Sequence, residues 1–488
     1  MELPTVSHPR KWAILAIVLC VECMDLLDST VVNVATPHIR ADLGASTSAI
    51  QWIAGGYALA LSIGLVAGGR LGDIVGHRKT FLLGTAGFVV ASLLCALAPT
   101  TGFLIAARLL QGLLCALVLP QGFGIIRSTF AGDDQQKAFA VFGPVIGLSA
   151  VLGPIVGGLL VDANVLGQDW RTVFLVNLPI GVAALYGAIR LLPESREEDP
   201  PELDLVGTVL VGAAAGLLVY PLIQGREAGW PWWTFAMFAL AGVLLLGFAL
   251  WVRERDRQGH DPLVTPSLFG KRQYDAGLAI MFLFFGGLSG VLLVLTLYLQ
   301  LGQGFSAIHA GLSFAPWSLA MAVGAGLSGA VLGPRFGRSV LQLGVVVSAL
   351  GNALLLWSVH DHPLSTSTGW LAGPLIVWGI GMGLFVAPAF DIVLASVSET
   401  ETGSASGVLN ANQQLSAAVG VAVMGTIFFS DVTRHGFAHA LERVLVVQVA
   451  VSAAILLITP LLPRRAREEA PSPDPDPDLA PAPAPSLP

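Results

Sequence analysis

Charge is what this sequence lacks. Of its 488 residues only 12% are Asp, Glu, Lys or Arg, roughly half the share of a water-soluble domain, so there is too little polar surface to keep a globule of this size in solution. Cysteine is sparse as well: Cys20, Cys23, Cys95 and Cys115 all lie in apolar stretches, which argues against a disulfide framework and leaves thiols that behave as small hydrophobes. Cys20 and Cys23 do form a CxxC, the first place to look for a soft metal, but core thiols of a helix account for them more simply and no metal site is expected. No basic patch marks a nucleic-acid surface. Zinc-spaced histidines, a phosphate-binding glycine loop and a nucleophile with its base are all missing, which disfavours an enzyme and any cofactor. The first apolar run is longer than that of a cleavable leader, so no signal peptide is expected.

What the chain has instead is apolar length: 54% of its residues are hydrophobic. Runs near the ~20 residues that cross a hydrocarbon core as helix recur along it. The pattern predicts an all-α polytopic membrane protein with fourteen helices, at 12–35, 48–68, 80–98, 103–126, 137–161, 172–192, 204–224, 233–251, 275–300, 309–332, 339–358, 369–390, 405–429 and 441–462. With the N-terminus inside the cell, most of the 25 Lys and Arg fall in inside segments. Arg40, Arg171, Arg226, Arg434 and Arg443 are left outside and Arg108 lies within a span. That bias predicts cytoplasmic termini at both ends. The acidic stretch "PESREEDPPELD" and the cationic segment 253–271 bracket two helices, so the expected organisation is two six-helix bundles plus an inserted helix pair. Its segments are a cytoplasmic N-terminus 1–11, a first bundle 12–192, a linker with helices 7 and 8 at 193–272, a second bundle 273–462, and a disordered tail 463–488 rich in Pro, Asp and Ala.

Against this apolar background, "CVECMDLLDSTVVNVATPHI" puts Glu22, Asp25 and Asp28 inside the first span. At about 100° per residue the three acids share roughly a third of the helix circumference. Turning them to lipid would cost about 8–10 kcal/mol on insertion scales, so they are expected to line a partly wet cavity between the two halves. Buried, mutually repelling carboxylates hold protons near neutral pH and titrate as a set. Arg108, in "ARLLQGLLCALVLPQG", is a buried cation that needs a cavity or an acid, with Asp73 one candidate partner. Asp391, in "APAFDIVLAS", is a second intramembrane acid. Trp52, Tyr57, Phe284, Phe285, Tyr298, Trp317 and Trp378 are either interfacial packing or stacking surfaces for a flat cargo.

Several stretches carry a family resemblance. "GGRLGDIVGHRKT", residues 68–80, resembles the loop between helices 2 and 3 of the major facilitator superfamily, and "LGPRFGRSVL", 332–341, reads as a degraded second copy without the acid, as an internal repeat predicts. "GLSAVLGPIVGGLL", 147–160, resembles the fifth-helix motif of drug:proton exchangers in that superfamily. "LDSTVVNVATPHI", "WRTVFLVNLPIG", "YLQLGQGFSAIHAGLSFAP" and "SGVLNANQQLSAAVGVAVMGTIF" are similar to its fourteen-helix drug:proton antiporter branch, so that nearly all of the chain is covered.

The resemblance implies a major-facilitator fold in the plasma membrane, working as a monomer, driven by the proton gradient and exporting a hydrophobic or cationic amphiphile such as a drug, antibiotic or secondary metabolite. The proton-coupling group would be Asp28 and Arg108, with Glu22 and Asp25 beside them. Candidate substrate contacts are Asp28, Asp25, Asn33, Tyr298, Gln300 and Asp391. Gly69, Arg70, Gly72, Asp73, Gly76, Arg78 and Lys79 would form a latch across the cytoplasmic seam, and Gly147, Gly153, Pro154, Gly157 and Gly158 a hinge. Exchange of a small nutrient or metal chelate, and a non-transporting receptor on the same fold, are the alternatives; only a receptor would be indifferent to Asp28→Asn.

Overall fold

The computed structural model describes residues 9–131, 133–164, 167–194, 202–361, 368–398 and 401–464. Most of the expected tail, Glu399 and much of the acidic stretch after Glu194 lie outside the described residues. Every regular element described is helical. Thirteen long elements follow one another: α1 (Lys11–Leu43), α2 (Thr47–Val75), α3 (His77–Ala96), α4 (Thr101–Thr129), α5 (Asp133–Asp162), α6 (Asp169–Leu191), α7 (Leu205–Gln224), α8 (Trp232–Arg257), α9 (Arg272–Gly302), α10 (Ala307–Phe336), α11 (Arg338–Asp361), α12 (Thr368–Leu394) and α13 (Thr402–Ile458).

Local chemistry sets the ends. Ser46 accepts from the Ala49 N–H and Thr100 from the Phe103 N–H, capping α2 and α4, while Gly44 closes α1 in the left-handed region at φ 61°. Within α4 a turn at 116–118 precedes Pro120, whose missing N–H leaves the helix free to shift. Gly436 (φ 85°, ψ 176°) breaks α13 into two arms.

Eleven helical segments are long and apolar enough to cross a membrane by themselves. Three elements account for the difference from fourteen. α1 carries the acids that lower its hydropathy, many of the α5 side chains before Leu152 lie outside the described residues, and α13, with its break, runs as one 60-residue segment to Leu461.

The helices form two six-helix bundles plus an inserted pair. In the first, α1 lies against α2, α4, α5 and α6, and α3 against α4 and α6; in the second, α9 packs along α13 and α12 along α10 and α11. The inserted α7 and α8 pack on each other, with α7 also touching α2 and α13. The bundles meet where α2 lies on α13, α5 on α10, and α1 on α9 and α10. At the face away from the N-terminus the seam is tight. The Asp162 carboxylate accepts from the Ala307 and Ile308 N–H groups at 3.2 and 3.0 Å, capping α10 from α5, and Gln300 donates to the Val34 carbonyl at 2.9 Å. Near that face Gln51 donates to the Ala422 carbonyl at 2.9 Å, and midway along α2 Ser62 donates to that of Ala411 at 2.7 Å.

Candidate functional site

Asp28 sits about halfway along α1 and is 1% exposed. It is ringed by donors from two other helices. Arg108 of α4 forms an ion pair through Nη1 with Oδ2. Oδ1 accepts from Gln111 Nε2 of α4 at 3.0 Å and from Asn177 Nδ2 of α6 at 2.7 Å. Ser92 Oγ of α3 accepts from the same two amides at 2.9 and 3.3 Å. Arg108 is equally enclosed: it donates to Gln111 Oε1 at 2.7 Å and to the Ile53 carbonyl at 3.3 Å, and its guanidinium lies 4.4 Å from the Tyr57 ring centre and 5.7 Å from that of Phe174. Opposite charge, hydrogen bonds from Nε and Nη1 and two ring faces surround it, which is how a protein interior tolerates an ion pair.

A second buried cluster lies one turn back. Asp25 accepts from the Tyr57 hydroxyl and from Cys115 Sγ at 3.3 Å. Glu22, one turn further, faces Gly122 of α4, where an added Cβ would meet its Oε1 at 3.0 Å. The three acids do share a face, but it is turned into the first bundle and not into a cavity between halves. The expectation weighed only lipid against cleft; α1 is packed on all sides, and the bundle interior, supplied with Arg108 and two amides, is the third option. Thr30, about 200° round the helix from Asp28, meets Gly153 of α5. Arg108 pairs with Asp28; Asp73 instead lies beside His77, 3.7 Å away.

The other expected residues are spread out. Asn33 is half-buried on α1. Tyr298 is fully buried and its hydroxyl accepts from Gln303 at 2.7 Å, while Gln300 is spent on Val34. Neither lines an open surface in this conformation. Asp391 is exposed near the end of α12. Of the aromatics considered as stacking surfaces, Tyr57, Phe284, Phe285, Trp317, Trp378 and Tyr298 are buried packing residues; Phe284, for instance, stacks on Phe385 at 3.7 Å.

The loop between α2 and α3 turns at Gly76, φ 112°. A side chain on Gly72 would collide with Gln121, which donates to the Gly68 carbonyl at 2.9 Å and touches His77 Nδ1 at 2.8 Å; Gly69 lies against Pro120. Arg70 donates to the carbonyls of Glu202 and Pro262, and Arg78 to the Ile189 carbonyl and to Glu194 at 2.8 and 3.2 Å. Lys79 is exposed. In this conformation the two arginines tie the loop to the linker and to α6, where the sequence suggested a tie to the second bundle. The degraded copy repeats the turn: Gly337 has φ 52°, and Arg338 donates to the Pro460 and Leu462 carbonyls at 2.7 Å each.

On α5 the glycines form a seam. Gly153 and Gly157 meet Thr30 and Val31 of α1, while a Cβ on Gly158 would strike the Ala307–Ile308 backbone of α10 and one on Gly311 the Pro154 carbonyl. Gly147 lies on the same helix, in a stretch whose side chains are outside the described residues. Sequence reasoning missed Ser92, Asn177 and the Tyr57 hydroxyl as site groups. Asn177 was in view within "VFLVNLPIG", a polar residue in an apolar run, which is the one signal it gives and too common a signal to single it out. Among the described residues one further cluster has metal-ligand types, Asp431 with His435 and His439 at 2.7 and 2.5 Å; Arg443, 3.0 Å from Asp431 Oδ1, already supplies it with a cation.

A two-bundle helical membrane protein with an ion pair locked in one bundle and a glycine seam between the two has the construction of a transporter. The chain belongs to the major facilitator superfamily, whose model matches residues 18–206 and 204–421, and within it to the drug-efflux branch. It is 50% identical over 422 residues to the probable actinorhodin transporter of Streptomyces coelicolor, covering 86% of this chain and 73% of that one. It is 34% identical to the tetracenomycin C resistance and export protein of Streptomyces glaucescens (87% and 77% covered) and 35% identical to a puromycin resistance protein of Streptomyces alboniger (93% and 91%). Among solved structures, an auto-inhibited POT family peptide transporter superposes with a TM-score of 0.70 over 95% of this chain and 99% of that one at 15% identity, and the human organic anion transporter MFSD10 with 0.60 over 93% and 100%, also at 15%. These last two speak for the fold alone. The protein is an efflux transporter and not an enzyme.

Proposed function

We propose that the chain is a proton-coupled antiporter that exports an antibiotic-like amphiphile, with Asp28 as the proton-carrying group. The observation that carries this reading is the Asp28–Arg108 pair, enclosed in the first bundle and ringed by neutral donors. Nothing structural demands a charge pair there: replacing such a pair with apolar residues of similar volume is often neutral or stabilising. A carboxylate that must gain and lose a proton explains why one is kept.

Enclosure also changes the coupling expected from sequence. Asp28 does not lie where cargo would displace its proton directly, so the competition runs through helix position. Protonation at Oδ2 dissolves the attraction between α1 and α4, and α1 carries the α5 seam and the Val34 contact to α9 on its other faces. A proton on Asp28 therefore loosens the closed seam, and its loss tightens it.

The cargo class follows the named relatives: an actinorhodin-, tetracenomycin- or puromycin-like product, flat or amphiphilic, is the expected substrate. On this reading the chain is a monomer in the cell membrane with fourteen crossings, bundles at 12–192 and 273–462 and the helix pair within 193–272; an even number of crossings puts both termini on one side, and the Lys and Arg bias supports the cytoplasm as that side. The closed face is then the outer one, and the conformation described faces the cytoplasm. At about 150 mV one inward proton supplies roughly 3.5 kcal/mol, which sustains roughly a few-hundredfold gradient of a neutral cargo. The test is growth of a pump-deficient host on a panel of such antibiotics, wild type against Asp28→Asn. The variant is expected to lose all protection at wild-type membrane abundance. Retained protection would refute the role of Asp28, and a wild type that protects against nothing in the panel would refute the cargo class.

A further inference from the structure

The two oxygens of Asp28 are held differently. Oδ2 faces the Arg108 cation; Oδ1 receives two neutral amides, Gln111 at 3.0 Å and Asn177 at 2.7 Å. Amide orientation is forced by these neighbours: Gln111 turns its oxygen to Arg108 Nη1 at 2.7 Å and its nitrogen to Asp28 and Ser92, and the flipped amide would set oxygen against carboxylate and N–H against guanidinium. Asn177 likewise bridges Asp28 and Ser92 through Nδ2.

We infer that Asn177 is a positioning residue for proton exchange: with Gln111 it holds Oδ1 in both protonation states, so that Oδ2 alone trades Arg108 for a proton. The step is a simple addition. A proton from the aqueous phase binds Oδ2, the Arg108 guanidinium keeps all its protons, and the cluster gains one positive charge. Arg108 then has Gln111 Oε1, the Ile53 carbonyl and the Tyr57 and Phe174 ring faces to hold it in place. Among the described residues Oδ1 receives two amide N–H groups, which give a proton no partner on that side, whereas on Oδ2 a proton takes the place of the Arg108 contact. Asn177 comes from α6, so the carboxylate keeps a contact to the bundle that does not depend on the α1–α4 attraction.

This inference rests on the proton-coupled reading and is tested by a measurement that needs no cargo. Infrared titration of the purified protein resolves the carboxyl stretch of Asp28, assigned by its absence in Asp28→Asn. In Asn177→Leu the ionised form loses a donor worth more to a charge than to a neutral group, so the titration midpoint is expected to move to higher pH by about one unit. Gln111→Met, should Asn177→Leu fail to fold, removes the second donor to the same oxygen and is expected to move the midpoint in the same direction. A midpoint within a few tenths of wild type in a folded variant overturns the role of Asn177 alone. An Asp28 band that does not titrate in the wild type overturns the proton-coupled reading and this inference with it.

Discussion

Among the described residues Arg108 makes its ion pair with Asp28, and neither side chain reaches solvent: their side chains are 1% and 0% exposed. Removing one partner leaves a buried charge alone, at a cost of about 3–5 kcal/mol. Arg108→Met is therefore expected to lower the unfolding free energy by that amount in bicelles. The double variant Asp28→Asn/Arg108→Met should recover most of it, since no orphan charge remains. Equal losses in the single and double variants would mean that the pair is not coupled. At this scale the sequence was most informative where a residue was costly in its context. An acid or an arginine inside an apolar run announces a partner, which is why Asp28 and Arg108 were legible. It does not say which partner: Asp73 was as available on paper as Asp28, and the three acids were assigned to a cleft because α1 alone cannot reveal what packs on its acidic face. Asn177 and Ser92 were harder still, because uncharged polar residues in membrane helices are too common to single out.

Small residues govern what the helices do to one another. Gly158 lets α5 touch the backbone start of α10, and a side chain there has no room. Gly158→Val is expected to disfavour the closed seam, and spin labels at Ala163 and Leu312 should then report a longer mean distance than in wild type; an unchanged distance would remove Gly158 from the seal. On the other face, α9 and α13 are tied before either enters its apolar run. Glu401 accepts from Lys271 at 2.6 Å and from the Ser267 and Ser398 hydroxyls, and these donors, Lys271 foremost, pull its acidity from an ordinary 4.5 down to about 2. Because the folded value lies below the unfolded one, the contribution of this tie is complete above about pH 4.5 and is lost only as pH falls through about 2. Glu401→Gln should lower the thermal midpoint by the same amount at pH 7 and pH 5. A gap that closes between those two values would contradict the ionised tie. The motif on α5 and the loop at 68–80 were visible as glycine spacings, yet their partners were not, since a spacing states that something approaches closely without naming it.

For the molecule as a whole the decisive quantity is how much charge moves per cycle. With one proton carried inward against one monovalent cation outward, the electrical contributions cancel and only the pH gradient drives transport. In proteoliposomes, nigericin should then abolish accumulation of a monovalent cationic cargo and a potassium diffusion potential should leave it unchanged, whereas a neutral cargo should respond to both. A cationic cargo whose accumulation follows the membrane potential would require a second proton, and Asp25, held by Tyr57 and Cys115 without an ion-pair partner among its described bonds, would be the place to look for it. Composition alone determined that this chain lives in a bilayer as a set of helices, because 12% charged residues cannot clothe a soluble surface and apolar runs of fixed length admit one solvent. Its two-fold organisation was also visible, in the repeated glycine turn that recurs at Gly76 and Gly337. What only the tertiary structure decided was where the acids point and which bundle face closes. Those depend on contacts between residues 80 to 150 positions apart along the chain, and periodicity within one helix carries no information about its neighbours.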